Sequence, residues 1–186
     1  MSLEAIDEST VRDQIRVVED WPKVGVRFQD LSGVMAHPDA FRIVVDGLAA
    51  AAQRHLGDRG SAIQQVVGIE ARGFPYGAAL AHHLGAGFIT ARKPGKLPGP
   101  VHAQQYDLEY GTASLEMHQD AVGPGVCVVV VDDVVATGGT ACAAVDLVRR
   151  CGAQVVAALF IMHISQLGGR EALQSAQVPW TSLLTT

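Results

Sequence analysis

Residues 128–140 combine side chains that suit a phosphorylated sugar. Four valines lead to Asp132 and Asp133, and the run Thr137-Gly138-Gly139-Thr140 follows after three intervening residues. Glycine lets a backbone approach a ligand without a Cβ in the way, and N–H groups at the start of a helix attract anions. The turn from Ala136 to Thr140 therefore predicts a cradle for one phosphate.

Two adjacent carboxylates beside this cradle narrow the ligand further. Asp132 and Asp133 suit the vicinal hydroxyls of a ribose and, indirectly, a Mg²⁺ ion. No lysine follows the glycines, which excludes a Walker A loop, and the dinucleotide fingerprint G-x-G-x-x-G is also absent. The alternative interpretation is a pair of capping aspartates at a solvated strand end.

Basic side chains elsewhere supply the cations that a phosphate ligand needs. Arg72 follows a short apolar run at residues 66–69, and Arg92, Lys93 and Lys96 follow the next apolar run. Arginine can hold phosphate oxygens bidentately, whereas lysine acts as a point charge. Because the net charge is −5, we expect these residues to form a local anion site. A solvated basic turn is the alternative.

The elements that must position these residues alternate between strand and helix. Uninterrupted valine runs indicate strands buried on both faces, and the alternation predicts a parallel sheet whose ligands bind at the carboxyl ends of its strands. The predicted strands cover residues 66–69, 87–91, 126–131, 155–162 and 180–184. The predicted helices cover residues 75–84 and 139–151.

Other segments depart from this alternation. Residues 11–19 predict a short helix, and residues 24–31 predict a strand or hairpin. His37-Pro38-Asp39 opens a longer helix, which Gly57 and Gly60 end. Residues 94–105 hold three prolines and two glycines. An irregular segment of this length is typical of a functional lid, and the residues after it, 106–118, predict a hairpin that carries the lid.

Composition excludes several classes of protein. The chain has 186 residues, of which 48% are hydrophobic and 18% charged, so it is long enough for one domain with a buried core. The net charge of −5 excludes a broad basic surface for nucleic acid. Cys127, Cys142 and Cys151 form neither a disulfide framework nor a zinc pattern. No membrane span or secretory signal is predicted, and we expect a cytoplasmic protein.

Residues 128–140 resemble the phosphoribosyl-pyrophosphate (PRPP) motif of the type I phosphoribosyltransferases. The order and spacing of further motifs agree from about Trp21 to the C-terminus. Those that resemble the branch of the family acting on adenine are residues 68–74 (GIEARGF), 92–99 (RKPGKLPG) and 108–111 (LEYG). The resemblance implies a single domain over residues 1–186, with a Rossmann-like central parallel sheet flanked by helices. It also implies an N-terminal hood over about residues 1–35 and a flexible lid hairpin.

The resemblance implies a Mg²⁺-dependent purine-salvage reaction in which adenine and PRPP give AMP and pyrophosphate. Negative charge develops on the leaving pyrophosphate, so Arg72 takes a catalytic as well as a binding role. Mg²⁺ is expected to arrive with PRPP and water rather than in a protein metal site. The residues that the resemblance assigns to PRPP are Arg72, Arg92, Lys93, Lys96, Asp132, Asp133, Ala136, Thr137, Gly138, Gly139 and Thr140.

The resemblance also assigns the chemistry of the base. The hood would bind adenine through the ring of Phe28 and the backbone of Arg27 and Gln29. Glu109 matches the family's catalytic glutamate, which would act as a general acid–base on the proton at N7 of adenine. A core phenylalanine and a solvent-facing strand glutamate are the alternatives for Phe28 and Glu109.

Two other functions remain open at this point. One is transfer to another purine, such as guanine, hypoxanthine or xanthine. The other is a non-catalytic regulator that senses PRPP or a purine on the same fold. The expected partners are adenine, PRPP and a second copy of the chain in a homodimer, with no nucleic acid and no membrane.

Overall fold

The computed structural model describes residues 8–57, 62–107 and 111–186. Within these ranges the helices are α1 Glu8–Arg12, α2 Ser32–Ala36, α3 Pro38–Leu56, α4 Gly73–Leu84, α5 Gly139–Arg150 and α6 Gly169–Ser175. The strands are β1 Arg16–Glu19, β2 Arg27–Asp30, β3 Gln65–Ile69, β4 Gly87–Ala91, β5 Val101–Asp107, β6 Thr112–His118, β7 Cys127–Val135, β8 Gln154–His163 and β9 Trp180–Thr185.

The chain divides into two compact units, Met1–Gly47 and Leu48–Thr186, with the division inside α3. The first unit contains the β1–β2 hairpin, and the second contains the main sheet. A single domain with a hood over about residues 1–35 stays a prediction.

The predicted helix over residues 11–19 is wrong beyond Arg12, where α1 ends. The following residues form β1, which pairs antiparallel with β2 from Arg16↔Asp30 to Glu19↔Arg27. Val17 and Val18 are β-branched and fit a strand better than a helix, and pairing with a partner strand decides the outcome. Of the predicted strand or hairpin over residues 24–31, β2 is strand, and its hairpin partner β1 lies before this segment.

The central sheet is parallel throughout, as predicted, with the order β4-β3-β7-β8-β9. Val128, Val129, Val130 and Val131 of the middle strand, β7, are fully buried, which confirms that both faces of the sheet are covered. Because the strands run in one direction, the carboxyl ends of β3, β4 and β7 meet at one edge. Ligands of open parallel sheets bind at this edge.

The middle strand is longer than predicted. Pairing with β8 carries β7 on to Val135, opposite His163, whereas pairing with β3 stops at Gly68↔Val131. The two aspartates therefore lie inside a strand and not after it. On the β3 side they stand beyond the last paired residue, where the sheet is open.

The lid region contains more regular structure than predicted. β5 begins at Val101, so the irregular part of residues 94–105 ends at Pro100. β5 and β6 pair antiparallel from Val101↔His118 to Asp107↔Thr112, so a hairpin is present, but its first strand begins before the predicted residue 106. Arg150 Nη1 at the end of α5 donates a hydrogen bond of 2.8 Å to Ala103 O. This contact ties the hairpin to the helix that begins at the phosphate cradle.

The helices largely match their sequence patterns. α3 begins at Pro38 and ends before Gly57, which has φ +58°. Gly60 lies outside the described residues. α4 begins two residues before the predicted start, and α5 begins at Gly139 as predicted.

Candidate active site

The paired aspartates lie at the open edge of β7 and are held by local backbone groups. The N–H of Asp133 donates to Asp132 Oδ1 at 2.9 Å, and the N–H of Val134 donates to Asp133 Oδ1 at 2.7 Å. These bonds fix one oxygen of each carboxylate. The second oxygen of Asp133 remains for another partner, although its residue is only 1% exposed.

Arg72 is that partner. Its Nε lies 3.0 Å from Asp133 Oδ2, as an ion pair outside hydrogen-bond geometry. Among the described residues, Oδ2 accepts no hydrogen bond. Buried carboxylate oxygens are nearly always bonded, so this atom is suited to a donor from a ligand. The Arg72 side chain is 48% exposed and lies where a ligand at this edge can reach it.

A close approach of two backbones brings Arg72 to this position. Arg72 follows β3 and precedes α4, whose first residue is Gly73. A Cβ on Gly73 would lie 2.5 Å from Val131 O and 3.1 Å from Asp132 Oδ1. Only glycine allows this start of α4 to pass so close to β7, and the loop before it therefore faces the aspartates.

Burial raises the pKa of Asp132 well above its ordinary value, and the neighbouring charge of Asp133 raises it further. Burial also raises the pKa of Asp133, and the nearby Arg72 guanidinium opposes that rise. Two carboxylates this close favour a cation or a hydrogen-bond donor between them. The two carboxylates therefore favour a ligand that brings a cation or hydrogen-bond donors.

We predict that Asp132→Asn raises the melting temperature at neutral pH. A carboxyl whose folded pKa is raised binds protons more tightly when folded, so its ionisation costs stability above that pKa. The cost fades as the pH falls through the raised pKa toward the ordinary value of 3.8. Thermal melts from about pH 8 to pH 4 should show that the variant melts at a higher temperature than the unaltered chain, and that this difference becomes smaller as the pH falls. A gain that grows toward acid pH would contradict the assignment.

The phosphate cradle is built from backbone at the start of α5. Gly138 has φ +84°, and a Cβ there would lie 2.9 Å from Ala172 Cβ on α6. The N–H groups of the first turn, from Gly139 onward, have no acceptor within the helix and point along its axis. Ala136, Thr137 and Thr140 are half-buried beside them. The anion site itself stays a prediction.

The basic residues after β4 lie in two different environments. Lys93 and Lys96 are exposed. Arg92 is half-buried: its Nη2 lies 3.2 Å from Glu70 Oε1 and its Nε donates to Glu70 Oε2 at 3.4 Å. Glu70 was not predicted as a site residue from the sequence. Its position directly after an apolar run, which Asp132 also has in the sequence, is the signal that would have found it.

The hood residues predicted for the base lie on the β1–β2 hairpin. Phe28 is half-buried, and its ring packs edge-on against Trp21 with centroids 4.4 Å apart. Arg27 Nε lies 2.9 Å from Glu19 Oε1, so the Arg27 side chain is paired within the hairpin. Gln29 is half-buried. Glu109, the predicted acid–base residue, lies outside the described residues.

In residues 8–57, 62–107 and 111–186, no three His, Cys, Asp or Glu side chains come together in a way that could hold a metal ion. Over the same ranges, no helix has both the length and the apolar character needed to cross a membrane. Cys127, Cys142 and Cys151 are free thiols.

Comparison with known proteins gives a consistent result. Residues 39–175 match the model of the phosphoribosyl transferase domain. The chain is 49% identical over 174 residues to an adenine phosphoribosyltransferase of Methylobacterium nodulans, with 93% of each protein covered.

Solved structures agree with this match. The crystal structure of adenine phosphoribosyltransferase from Rhodothermus marinus is similar with a TM-score of 0.88, 43% identity and full coverage of both chains. The Saccharomyces cerevisiae enzyme, complexed with an imino-altritol bisphosphate and adenine, has a TM-score of 0.88 and 33% identity. It covers 95% of this chain and 97% of its own.

Proposed function

The chain belongs to the adenine phosphoribosyltransferase branch of the phosphoribosyltransferase family, and we propose on that premise that it makes AMP from adenine and PRPP. The observation that carries the proposal is the half-buried Asp132 next to the buried Asp133, beside the predicted phosphate cradle and with Arg72 3.0 Å from Asp133. A non-catalytic regulator would also need the phosphate cradle, but the relatives of this chain that have a similar length are adenine phosphoribosyltransferases. Transfer to another purine is likewise not favoured by these relatives.

PRPP binds along the carboxyl edge of the sheet in this proposal. Its 5′-phosphate lies in the cradle from Ala136 to Thr140, where backbone N–H groups and two threonine hydroxyls surround an anion. The ribose hydroxyls donate to Asp132 and Asp133. Asp132 is half-buried, and Asp133 Oδ2 accepts no hydrogen bond among the described residues, which supports this assignment. Asp132 and Asp133 would lie near a Mg²⁺ ion brought by PRPP, which would supply positive charge for the pyrophosphate.

Catalysis consists of stabilising charge as pyrophosphate leaves. The C1–O bond to pyrophosphate breaks with its electron pair, and N9 of adenine forms the new bond to C1. Arg72, Lys93 and Lys96 provide positive charge for the leaving group, while the aspartates lie beside the oxocarbenium-like ribose. Arg92 lies at the same carboxyl edge of the sheet. Preorganised charges of this kind act without reorganisation at the moment of reaction.

The base is bound by the hood and loses a proton during transfer. The Phe28 ring stacks on adenine, and the backbone of Arg27 and Gln29 bonds its edge. Glu109 accepts the N7 proton of adenine as N9 bonds to C1. The adenine ring of the AMP product is therefore neutral, and the charge balances. We also propose a homodimer in the cytoplasm. The 36% exposed Phe88 on edge strand β4 supports an apolar contact, and the three free thiols support a reducing compartment.

The test is AMP formation from PRPP and Mg²⁺ with adenine, guanine, hypoxanthine and xanthine supplied separately. We expect turnover with adenine at least about 10²-fold faster than with any oxo-purine, because a site built to bond one edge leaves groups unpaired with another. Faster turnover with an oxo-purine would contradict the adenine assignment. PRPP binding without turnover of any base would favour the regulator.

A further inference from the structure

The Arg92 guanidinium makes hydrogen bonds and a ring contact with groups of its own chain. Its Nε and Nη2 face the two oxygens of Glu70, and its Nη1 donates to Lys96 O at 3.3 Å. The guanidinium also lies over the Phe74 ring, 5.8 Å from the ring centroid. An arginine held in this way has little freedom to turn toward a phosphate, since each donor that turned would leave a partner unpaired.

The Glu70 carboxylate is the common acceptor in this group of contacts. Besides Arg92, it accepts the backbone N–H of Lys93 at 2.7 Å. Its side chain is 13% exposed, compared with 31% for Arg92. Burial would raise the pKa of Glu70, but the hydrogen bonds from Arg92 and Lys93 hold it below its ordinary value. Glu70 is therefore an ionised, mostly buried acceptor that joins the loop after β3 to the loop after β4.

A second carboxylate holds the same loop from the hairpin. Glu116 on β6 accepts the N–H of Gly95 at 3.0 Å, and its backbone exchanges hydrogen bonds of 2.8 and 2.7 Å with that of Arg92. The segment 93–96 is thus bonded at Lys93 N–H, Gly95 N–H and Lys96 O. Its backbone is held by three anchors, while the side chains of Lys93 and Lys96 are exposed.

We propose that Glu70 and Arg92 are a pair of positioning residues, which set the backbone of segment 93–96 so that Lys93 and Lys96 meet the pyrophosphate group. Arg92 acts through this loop and does not itself touch the phosphates. The inference rests on the proposed function, because pyrophosphate is the ligand that the loop serves. Glu70 has the opposite sign to the cations, so its contribution is geometric.

The sign of the Glu70 effect separates this role from direct contact. Removing a negative charge near an anion site strengthens anion binding by simple electrostatics, and it would also release Arg92 for the phosphates. A positioning pair predicts the reverse. We expect Glu70→Gln to weaken Mg²⁺-pyrophosphate binding about tenfold, the size of one hydrogen bond to a charged group.

The experiment is calorimetric titration of the full chain with Mg²⁺-pyrophosphate. Arg92→Lys should lose about as much affinity as Arg92→Gln, because lysine keeps the charge but cannot bond Glu70 and Lys96 O together. The double variant of Glu70→Gln and Arg92→Gln should lose about tenfold rather than about a hundredfold, since the two residues act as one unit. The KM for PRPP should rise in the same variants, with a smaller change in kcat.

Arg149→Lys is the matched control. Arg149 also donates to backbone carbonyls, of Ala176 at 2.9 Å and Gln177 at 3.2 Å, but it lies at the far end of α5 from the cradle. It should leave pyrophosphate affinity unchanged. Melting curves identify any variant that has lost its fold, and Arg92→Lys then carries the test because it changes the least.

Unchanged or stronger binding in Glu70→Gln would overturn the inference, as would full affinity in Arg92→Lys. The proposed function fails separately, when the unaltered chain binds pyrophosphate but forms no AMP. In that case the pattern of pyrophosphate affinities still decides the role of Glu70 and Arg92.

Discussion

Glu109→Ala is expected to lower kcat for AMP formation by about 10²-fold or more while PRPP still binds. The new bond at N9 makes the N7 proton strongly acidic, and without a base this proton must leave to water or remain through the transition state. Glu109 lies outside the described residues. The strands on either side of it pair up to Asp107↔Thr112, and the Arg150 contact to Ala103 holds their hairpin to α5.

Steady-state rates with adenine, together with PRPP affinity by calorimetry, measure this effect. Glu109→Gln is the matched variant, because it keeps a hydrogen-bond acceptor but cannot take up a proton at neutral pH. A loss in Glu109→Gln as large as in Glu109→Ala supports proton transfer. Unchanged turnover in Glu109→Ala would remove the residue from the mechanism.

Asp133→Asn is expected to weaken PRPP binding by about 10²-fold and adenine binding far less. The substitution keeps the oxygen that accepts the Val134 N–H, so the local backbone is retained. It replaces the buried Oδ2, which faces Arg72 at 3.0 Å, by an amide donor. A hydrogen bond from a ribose hydroxyl to a charged group contributes about 1.5–3 kcal/mol, and tenfold in affinity corresponds to about 1.4 kcal/mol.

Calorimetry with PRPP and with adenine, each alone, tests this assignment. Asp146→Asn is the control, because Asp146 is an exposed aspartate of α5 that lies 4.0 Å from Arg149. Its loss should leave both affinities unchanged. If Asp133→Asn lowers the two affinities equally, the aspartate does not bind the ribose of PRPP, and its role is general to the site.

The sheet and the turn at the start of α5 could be predicted from short stretches of sequence. The valines before Asp132 can only be buried together in a covered strand, and Thr137-Gly138-Gly139-Thr140 carries in four consecutive residues the backbone freedom that the cradle needs. Such features depend on neighbours along the chain. The structure accordingly places β7, the turn and α5 in the predicted order.

Features that depend on a distant partner were predicted less well. Residues 16–19 became a strand because β2 pairs with them, and β7 continued past residue 131 because β8 is longer than β3. Neither cause is present in the segment itself. The beginning of β5 inside the proline-rich region likewise depends on β6.

By itself, the sequence determined the family and the parallel sheet, and it predicted the groups for phosphate and ribose, because the chemistry of each motif lies in consecutive residues. Only the tertiary structure decided which carboxylate pairs with which arginine. Arg72 pairs with Asp133 and Arg92 with Glu70. Glu70 and Arg92 directly follow β3 and β4, whereas Asp133 lies inside β7. Which carboxylate meets which arginine depends on where neighbouring strands stop pairing at the sheet edge, and that is a property of the whole fold.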